Sequence, residues 1–133
     1  MNKSLALAGS ILWLGVAAVP AADTLFTTPV IFLTPPVLNF GPVYTNSTAT
    51  NTIIVENMGI GKMVGKATVP EPFKIVAGGD YTLRAHEAQI VTITYKPSGA
   101  PLDKQTVTFT GGGGAKAIVT GKPSLKPPKK FRR

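Results

Sequence analysis

The chain contains no cysteine among its 133 residues. This absence excludes disulfide bonds, thiolate metal sites and a cysteine nucleophile. It also excludes a lipid anchor attached through cysteine. The fold must therefore be stabilised by packing and hydrogen bonding alone, because no covalent cross-link is available.

The residues that catalysis uses are also scarce. His86 is the only histidine, and one histidine without cysteine or clustered acids does not supply the ligands of an ordinary zinc or copper site. The glycines of residues 111–114 are not followed by Gly-Lys-Ser/Thr or a helical pattern, as a phosphate-binding loop requires. We therefore expect no enzyme activity, no metal and no cofactor, and we interpret His86 as an exposed loop residue. The acids of the body are spread singly and are expected on the surface: Glu56, Glu71, Asp80, Glu87 and Asp103.

Charge is missing from a long segment near the N-terminus. Residues 5–19 (LALAGSILWLGVAAV) follow Lys3, carry no charge and precede the small residues Ala21 and Ala22. This order is typical of a secretory signal, since about 15 apolar residues are fewer than the roughly 20 that span a bilayer. We expect a signal peptide over 1–22 and export to the periplasm, cell surface or extracellular space. The alternative is an uncleaved signal that anchors the protein in the membrane.

Helical periodicity is absent along the rest of the chain, which reads as short strands separated by Gly, Pro and Asn. The clearest strand is 89–95 (QIVTITY), where Val91, Ile93 and Tyr95 alternate with polar residues and are expected to face a core. This pattern predicts an all-β fold, a single immunoglobulin-like β-sandwich of about seven strands. We divide the chain into a signal peptide (1–22), an extended leading segment (23–35), the sandwich (36–121) and a tail (122–133).

Five short pieces of the sandwich carry a family resemblance. They are Leu38-Asn39-Phe40-Gly41-Pro42-Val43, Ser47 to Val55 with the turn residues Asn57 and Gly59, Pro72-Phe73, Leu83 followed by Gln89 to Pro97, and Ile118-Val119-Thr120-Gly121. Their order resembles the abnormal-spindle/Hydin (ASH) domain, whose bacterial versions are described as choice-of-anchor D. The resemblance implies a relation to major sperm protein and the pilus chaperones. In this chain Ala85-His86-Glu87 replaces the Pro-Gly-Glu turn that the family usually has.

Positive charge is concentrated in the tail. The chain has a net charge of +8, yet between Asp23 and Gly121 seven Lys/Arg nearly balance six Asp/Glu. The prolines of the tail predict an extended, disordered segment. We interpret its cations as the candidate contact with an anionic surface, such as phospholipid headgroups, envelope polymers or an acidic partner; the alternative is a solubilising end. They are Lys122, Lys126, Lys129, Lys130, Arg132 and Arg133.

These features favour a non-catalytic, exported binding or structural module of the cell envelope. Its partner would be a protein of unknown identity, held at a sheet edge or by loops, and the tail would aid attachment to an anionic surface. Export argues against nucleic acid, and no small-molecule substrate is indicated. The alternative is a periplasmic chaperone-like protein that acts by strand addition; the single sandwich argues against it, because pilus chaperones resemble two sandwiches in tandem.

Overall fold

The computed structural model describes residues 27–125, which form nine β-strands and no helix. The predicted signal peptide and the tail beyond Leu125 lie outside the described residues. Within 27–125 there is no apolar helix long enough to cross a membrane. The strands are β1 (Ile31–Thr34), β2 (Val37–Tyr44), β3 (Ala49–Asn57), β4 (Met63–Thr68), β5 (Phe73–Ala77), β6 (Asp80–Leu83), β7 (Ala88–Tyr95), β8 (Asp103–Phe109) and β9 (Ala115–Ser124).

The strands form two sheets that pack face to face. The four-stranded sheet has the order β1-β3-β7-β5, and the five-stranded sheet has the order β2-β9-β8-β4-β6. Neighbouring strands are antiparallel except β2 and β9, which are parallel. The predicted all-β sandwich is confirmed. It has nine strands where we expected about seven, partly because four-residue strands such as β1 and β6 acquire their identity from their partners.

The core lies between the sheets and follows the alternation of the sequence. Val91, Ile93 and Tyr95 of β7 are fully buried, as predicted. Ile53 and Val55 of the neighbouring β3 are equally buried. Because side chains alternate between faces, a strand that covers a core on one side displays this period of two. The core residues are Leu33, Leu38, Val43, Ile53, Val55, Met63, Ala67, Phe73, Tyr81, Leu83, Val91, Ile93, Tyr95, Val107, Phe109, Ala117 and Val119.

Both ends of the predicted sandwich need correction. β1 lies within the leading segment and pairs with β3, so the sandwich begins before residue 36. At the other end β9 continues through Ser124, and Lys122 and Pro123 pair with Pro42 and Val43 of β2. We expected disorder from residue 122, but the main chain of β2 provides a partner as far as Ser124. Past Gly121, β9 has lost β8 as a neighbour, and an edge position of this kind accommodates proline.

Asn57 joins several segments at the end of the sandwich opposite Ser124. Its side-chain oxygen accepts hydrogen bonds from the main-chain N–H groups of Val30 (3.2 Å) and Gly59 (3.0 Å). Its amide nitrogen donates to the carbonyl oxygens of Gly61 (2.9 Å) and Leu83 (3.2 Å). All the hydrogen-bonding capacity of this fully buried amide is therefore used.

Candidate functional site: the open edge of β5

Only one of the six predicted site residues lies in the described part of the chain. Lys122 is exposed on β9, opposite Pro42 of β2. Lys126, Lys129, Lys130, Arg132 and Arg133 lie outside the described residues. The fold thus fixes the position from which the tail leaves, at the end of β9 beside the β2–β3 turn, where Thr45 N–H donates to the Ser124 carbonyl (3.0 Å).

The described residues bring no catalytic or metal-binding group together. Within 27–125 no three His, Cys, Asp or Glu residues lie close enough to hold a metal ion. His86 is exposed in the turn between β6 and β7, as predicted for a loop residue, and has a φ of 67°. The turn is closed by a hydrogen bond from Glu87 N–H to the Arg84 carbonyl (3.0 Å), and Glu87 Oε1 accepts one from Arg84 N–H (2.8 Å). The sequence therefore builds the expected turn without Pro-Gly.

Asp103 is buried, and our interpretation of it as a surface acid was wrong. Its Oδ2 accepts hydrogen bonds from the Tyr95 hydroxyl (2.7 Å) and from Ser98 N–H (3.2 Å), and its Oδ1 accepts one from the Ser98 hydroxyl (2.5 Å). Burial raises the pKa of Asp103, but the hydrogen bonds from Ser98 and Tyr95 outweigh this effect and hold the pKa below its ordinary value. Burial raises the pKa of Tyr95, and the hydrogen bond to the charged Asp103 raises it further. This cluster fixes the β7–β8 loop to the core.

Each sheet ends in two edge strands, and three of the four are poor templates for another strand. β1 and β6 have four residues each. β2 contains Pro42, and its register shifts between Asn39 and Pro42. Short length, proline and bulges are the features that blunt an edge strand. β5 has five residues and contains no proline, with β7 on one side and no hydrogen-bonded strand on the other. Its register with β7 also shifts, but only beyond Ile75, so that Phe73 to Ile75 pair regularly.

The main-chain groups of β5 alternate between β7 and the open side. The Pro72 carbonyl accepts a hydrogen bond from Lys96 N–H (3.2 Å), and Lys74 lies directly opposite Thr94. In an antiparallel pair, hydrogen-bonded positions alternate with positions whose main-chain groups point away. Ile75 is therefore a position whose N–H and C=O face the open side.

A groove lies along this edge and reaches the end of β4. It has a volume of about 660 Å³. Its apolar lining includes Val69, Pro72, Phe73 and Ile75, and Glu71, Lys74 and Lys96 supply charges of both signs. Ala67 and Thr68 of β4, which pair with β8, form part of its wall. We call this surface the β5 groove.

The fold is that of the ASH and PapD-like immunoglobulin-like domains, which confirms the resemblance at the level of fold. No family model matches the chain, and no curated protein matches it. Among solved structures, an ASH/PapD-like domain of human CEP192 aligns with a TM-score of 0.60 and 13% identity, over 75% of this chain and 89% of that one.

Two bacterial structures share the fold with a larger chain. A Porphyromonas gingivalis W83 protein of unknown function aligns with a TM-score of 0.63 and 17% identity, over 81% of this chain and 51% of that one. The Pseudomonas aeruginosa CupB2 chaperone aligns with a TM-score of 0.56 and 10% identity, over 69% of this chain and 55% of that one. The present chain thus matches about half the length of each. At these identities the alignments show the fold alone.

Proposed function

We propose that this protein is a non-catalytic, exported binding module of the cell envelope that docks a protein partner at the β5 edge. An extended segment of the partner would add as a further strand to the four-stranded sheet. Main-chain hydrogen bonds would supply affinity, and side chains of the added strand would enter the β5 groove and supply specificity. The open main-chain groups of Ile75 beside an apolar groove are the observation that carries this proposal.

The tail has a second part in the proposal. Its cations would hold the protein on an anionic envelope surface while the sandwich holds the partner. Lys122 stands on β9 of the five-stranded sheet, whereas the β5 edge belongs to the other sheet. The two proposed contacts therefore use different residues.

A chaperone-like function by strand addition is the second candidate. Its support is the likeness of the fold to the CupB2 chaperone. Against it, the described residues form one sandwich, which aligns with only 55% of the CupB2 chaperone chain. The two functions separate in an aggregation assay, because a chaperone would keep an unfolded client soluble, whereas a docking module would bind a folded partner without that effect.

Photo-crosslinking tests the β5 edge. A benzophenone amino acid replaces Val76, which is exposed on β5, or Val64, which is exposed on β4 of the other sheet. Irradiation in the envelope fraction of the source cells should give a discrete adduct at Val76 and none at Val64. Ile75→Pro removes the outward N–H and should abolish the adduct. Ile75→Ala loses the same packing but keeps the N–H, so it should retain the adduct.

Two results would contradict the proposal. Adducts of equal yield at both positions would indicate non-specific proximity. Equal loss with Ile75→Pro and Ile75→Ala, at equal thermal stability, would assign any binding to the side chain and remove the argument for strand addition.

A further inference from the structure

The outer face of the five-stranded sheet carries a set of lysines that the net charge of the body conceals. Alternation along β4, β8 and β9 places on this face the exposed residues Lys66, Lys104, Lys116 and Lys122. Among the described strand residues of this face the only acid is Asp80 of β6, which lies directly opposite Lys66. The face of β8 and β9 is therefore uniformly positive.

The register brings two of these lysines close together. Lys104 lies opposite Thr120, and Lys122 is two residues further along β9. Such diagonal neighbours are about 7–8 Å apart. The residues between the lysines on this face are short or of medium size, namely Thr106, Thr108, Ile118 and Thr120. Long cationic side chains therefore stand on a surface that consists mostly of threonine.

The other outer face has a different character. On the four-stranded sheet Ile54 lies directly opposite Ile90, and both are exposed, as is Phe32 on β1. Among the described strand residues of that face the only lysine is Lys74 of β5, so the lysines are concentrated on the outer face of the five-stranded sheet. We call that face, defined by Lys104, Lys116 and Lys122, the basic face.

The basic face and the tail share Lys122. β9 ends at Ser124, and the next cation in the sequence is Lys126, followed by Lys129, Lys130, Arg132 and Arg133. The proposed attachment by the tail therefore begins at a residue of the basic face.

We infer that the basic face forms a binding surface for an anionic phospholipid bilayer. The occupant is chosen by charge complementarity, because lysines gathered on one sheet face are attracted to anionic headgroups. This inference rests on the proposed attachment of the tail to an anionic surface, and it adds residues of the fold and a class of lipid.

The test uses the chain from Asp23, which contains every strand of the fold and lacks the apolar N-terminal run. Four proteins are compared: this chain, Lys104→Gln/Lys122→Gln, the control Lys62→Gln/Arg84→Gln, and a chain ending at Leu125. Lys62 and Arg84 are exposed in loops beside Asn57, at the opposite end of the sandwich from Ser124. The two double variants lose equal charge, so that only its position differs.

Co-sedimentation is measured with vesicles of phosphatidylcholine and phosphatidylglycerol, and with phosphatidylcholine alone. A cation near an anionic membrane changes the binding constant about fivefold. We expect the Lys104→Gln/Lys122→Gln protein, which loses two such cations, to bind the anionic vesicles about 25-fold more weakly at low salt, and the control to bind as the parent does within about twofold. Binding by all four should fall steeply with salt.

The outcomes separate the inference from the proposal on which it rests. Equal binding by the two double variants would overturn the role of the basic face, even if truncation weakened binding. If truncation had no effect while Lys104→Gln/Lys122→Gln weakened binding, the tail proposal would fail and the basic face would stand. Binding to heparin without binding to anionic vesicles would overturn the assignment to lipid.

Discussion

Replacing Tyr95 with phenylalanine isolates the hydrogen bond to buried Asp103. The Tyr95 hydroxyl donates to Asp103 Oδ2 at 2.7 Å. Phenylalanine keeps the ring, which stacks on Phe73 at a centroid distance of 4.7 Å, and Asp103 keeps its hydrogen bonds from Ser98. A hydrogen bond to a charged group contributes about 1.5–3 kcal/mol. We therefore expect Tyr95→Phe to lower the free energy of unfolding by about 2 kcal/mol at pH 7.

Tyr81 provides the matched control. Its hydroxyl donates to the carbonyl oxygen of Thr110 at 2.6 Å, so the acceptor is neutral. The ring is buried in the same core. A neutral hydrogen bond contributes about 0.5–1.5 kcal/mol, and Tyr81→Phe should therefore cost less than Tyr95→Phe.

The difference between the two variants should depend on pH. The pKa of Asp103 is lower in the folded protein than in the unfolded chain, so its contribution is present above about pH 4 and is lost as the pH falls through the folded value. Tyr95→Phe removes one of the interactions that lower this pKa. Its cost should therefore be largest near neutral pH and shrink in acid, whereas the cost of Tyr81→Phe should stay constant over that range.

Urea unfolding followed by far-ultraviolet circular dichroism, at intervals between pH 3 and pH 8, measures both costs. A cost for Tyr95→Phe that equals that of Tyr81→Phe and does not change with pH would refute the assignment of Asp103 as a buried carboxylate held by Tyr95. A single two-state transition with an unchanged m-value is required for the comparison.

Three further substitutions test the packing. A Cβ at Gly121 would lie 2.2 Å from Tyr95 Cε2, and the Tyr95 ring already contacts the rings of Phe40 and Phe73. Gly121→Ala should therefore lower the free energy of unfolding in urea by at least about 2 kcal/mol. A loss below about 0.5 kcal/mol would show that the Tyr95 ring moves freely. Ile93→Ala should lower the free energy of unfolding by about 2–5 kcal/mol in the same measurement, because Ile93 is fully buried. A loss close to zero would contradict this burial. His86→Gly should raise Tm by a few degrees relative to His86→Ala, because φ at this position is 67° and glycine adopts it without strain; equal Tm values would argue against this turn.

The strands that were predicted best lie in the interior of a sheet and pair with a neighbour on both sides. β7 lies between β3 and β5, and β3 lies between β1 and β7, so each covers the core along its whole length and shows the alternation clearly. β1 and β6 have four residues each, and four residues carry too little of a period to be recognised. Their strand conformation comes from β3 and β4, which are distant in the sequence.

Asp103 and the β5 groove were missed for a related reason. A single acid between Leu102 and Lys104 has no signature of burial in the sequence, because its partners Tyr95 and Ser98 become neighbours only when the β7–β8 loop folds back. The β5 groove is lined by residues of β4, β5 and β7, which only the tertiary structure brings together. The sequence predicted binding at a sheet edge, and the fold distinguishes among the four edges.

The basic face differs from both, since its signal was present in the sequence. Lys116, Ile118, Thr120 and Lys122 recur at every second position, and a period of two assigns them to one face once the strand is known. We counted the charge of the body as a sum, and Lys104 and Lys116 disappeared into that near-zero total. A sum over residues has no direction, whereas a sheet separates its charges into two faces. The proposed partner edge at β5 and the proposed anionic surface at β8 and β9 belong to different sheets, so the two proposals do not compete for the same residues.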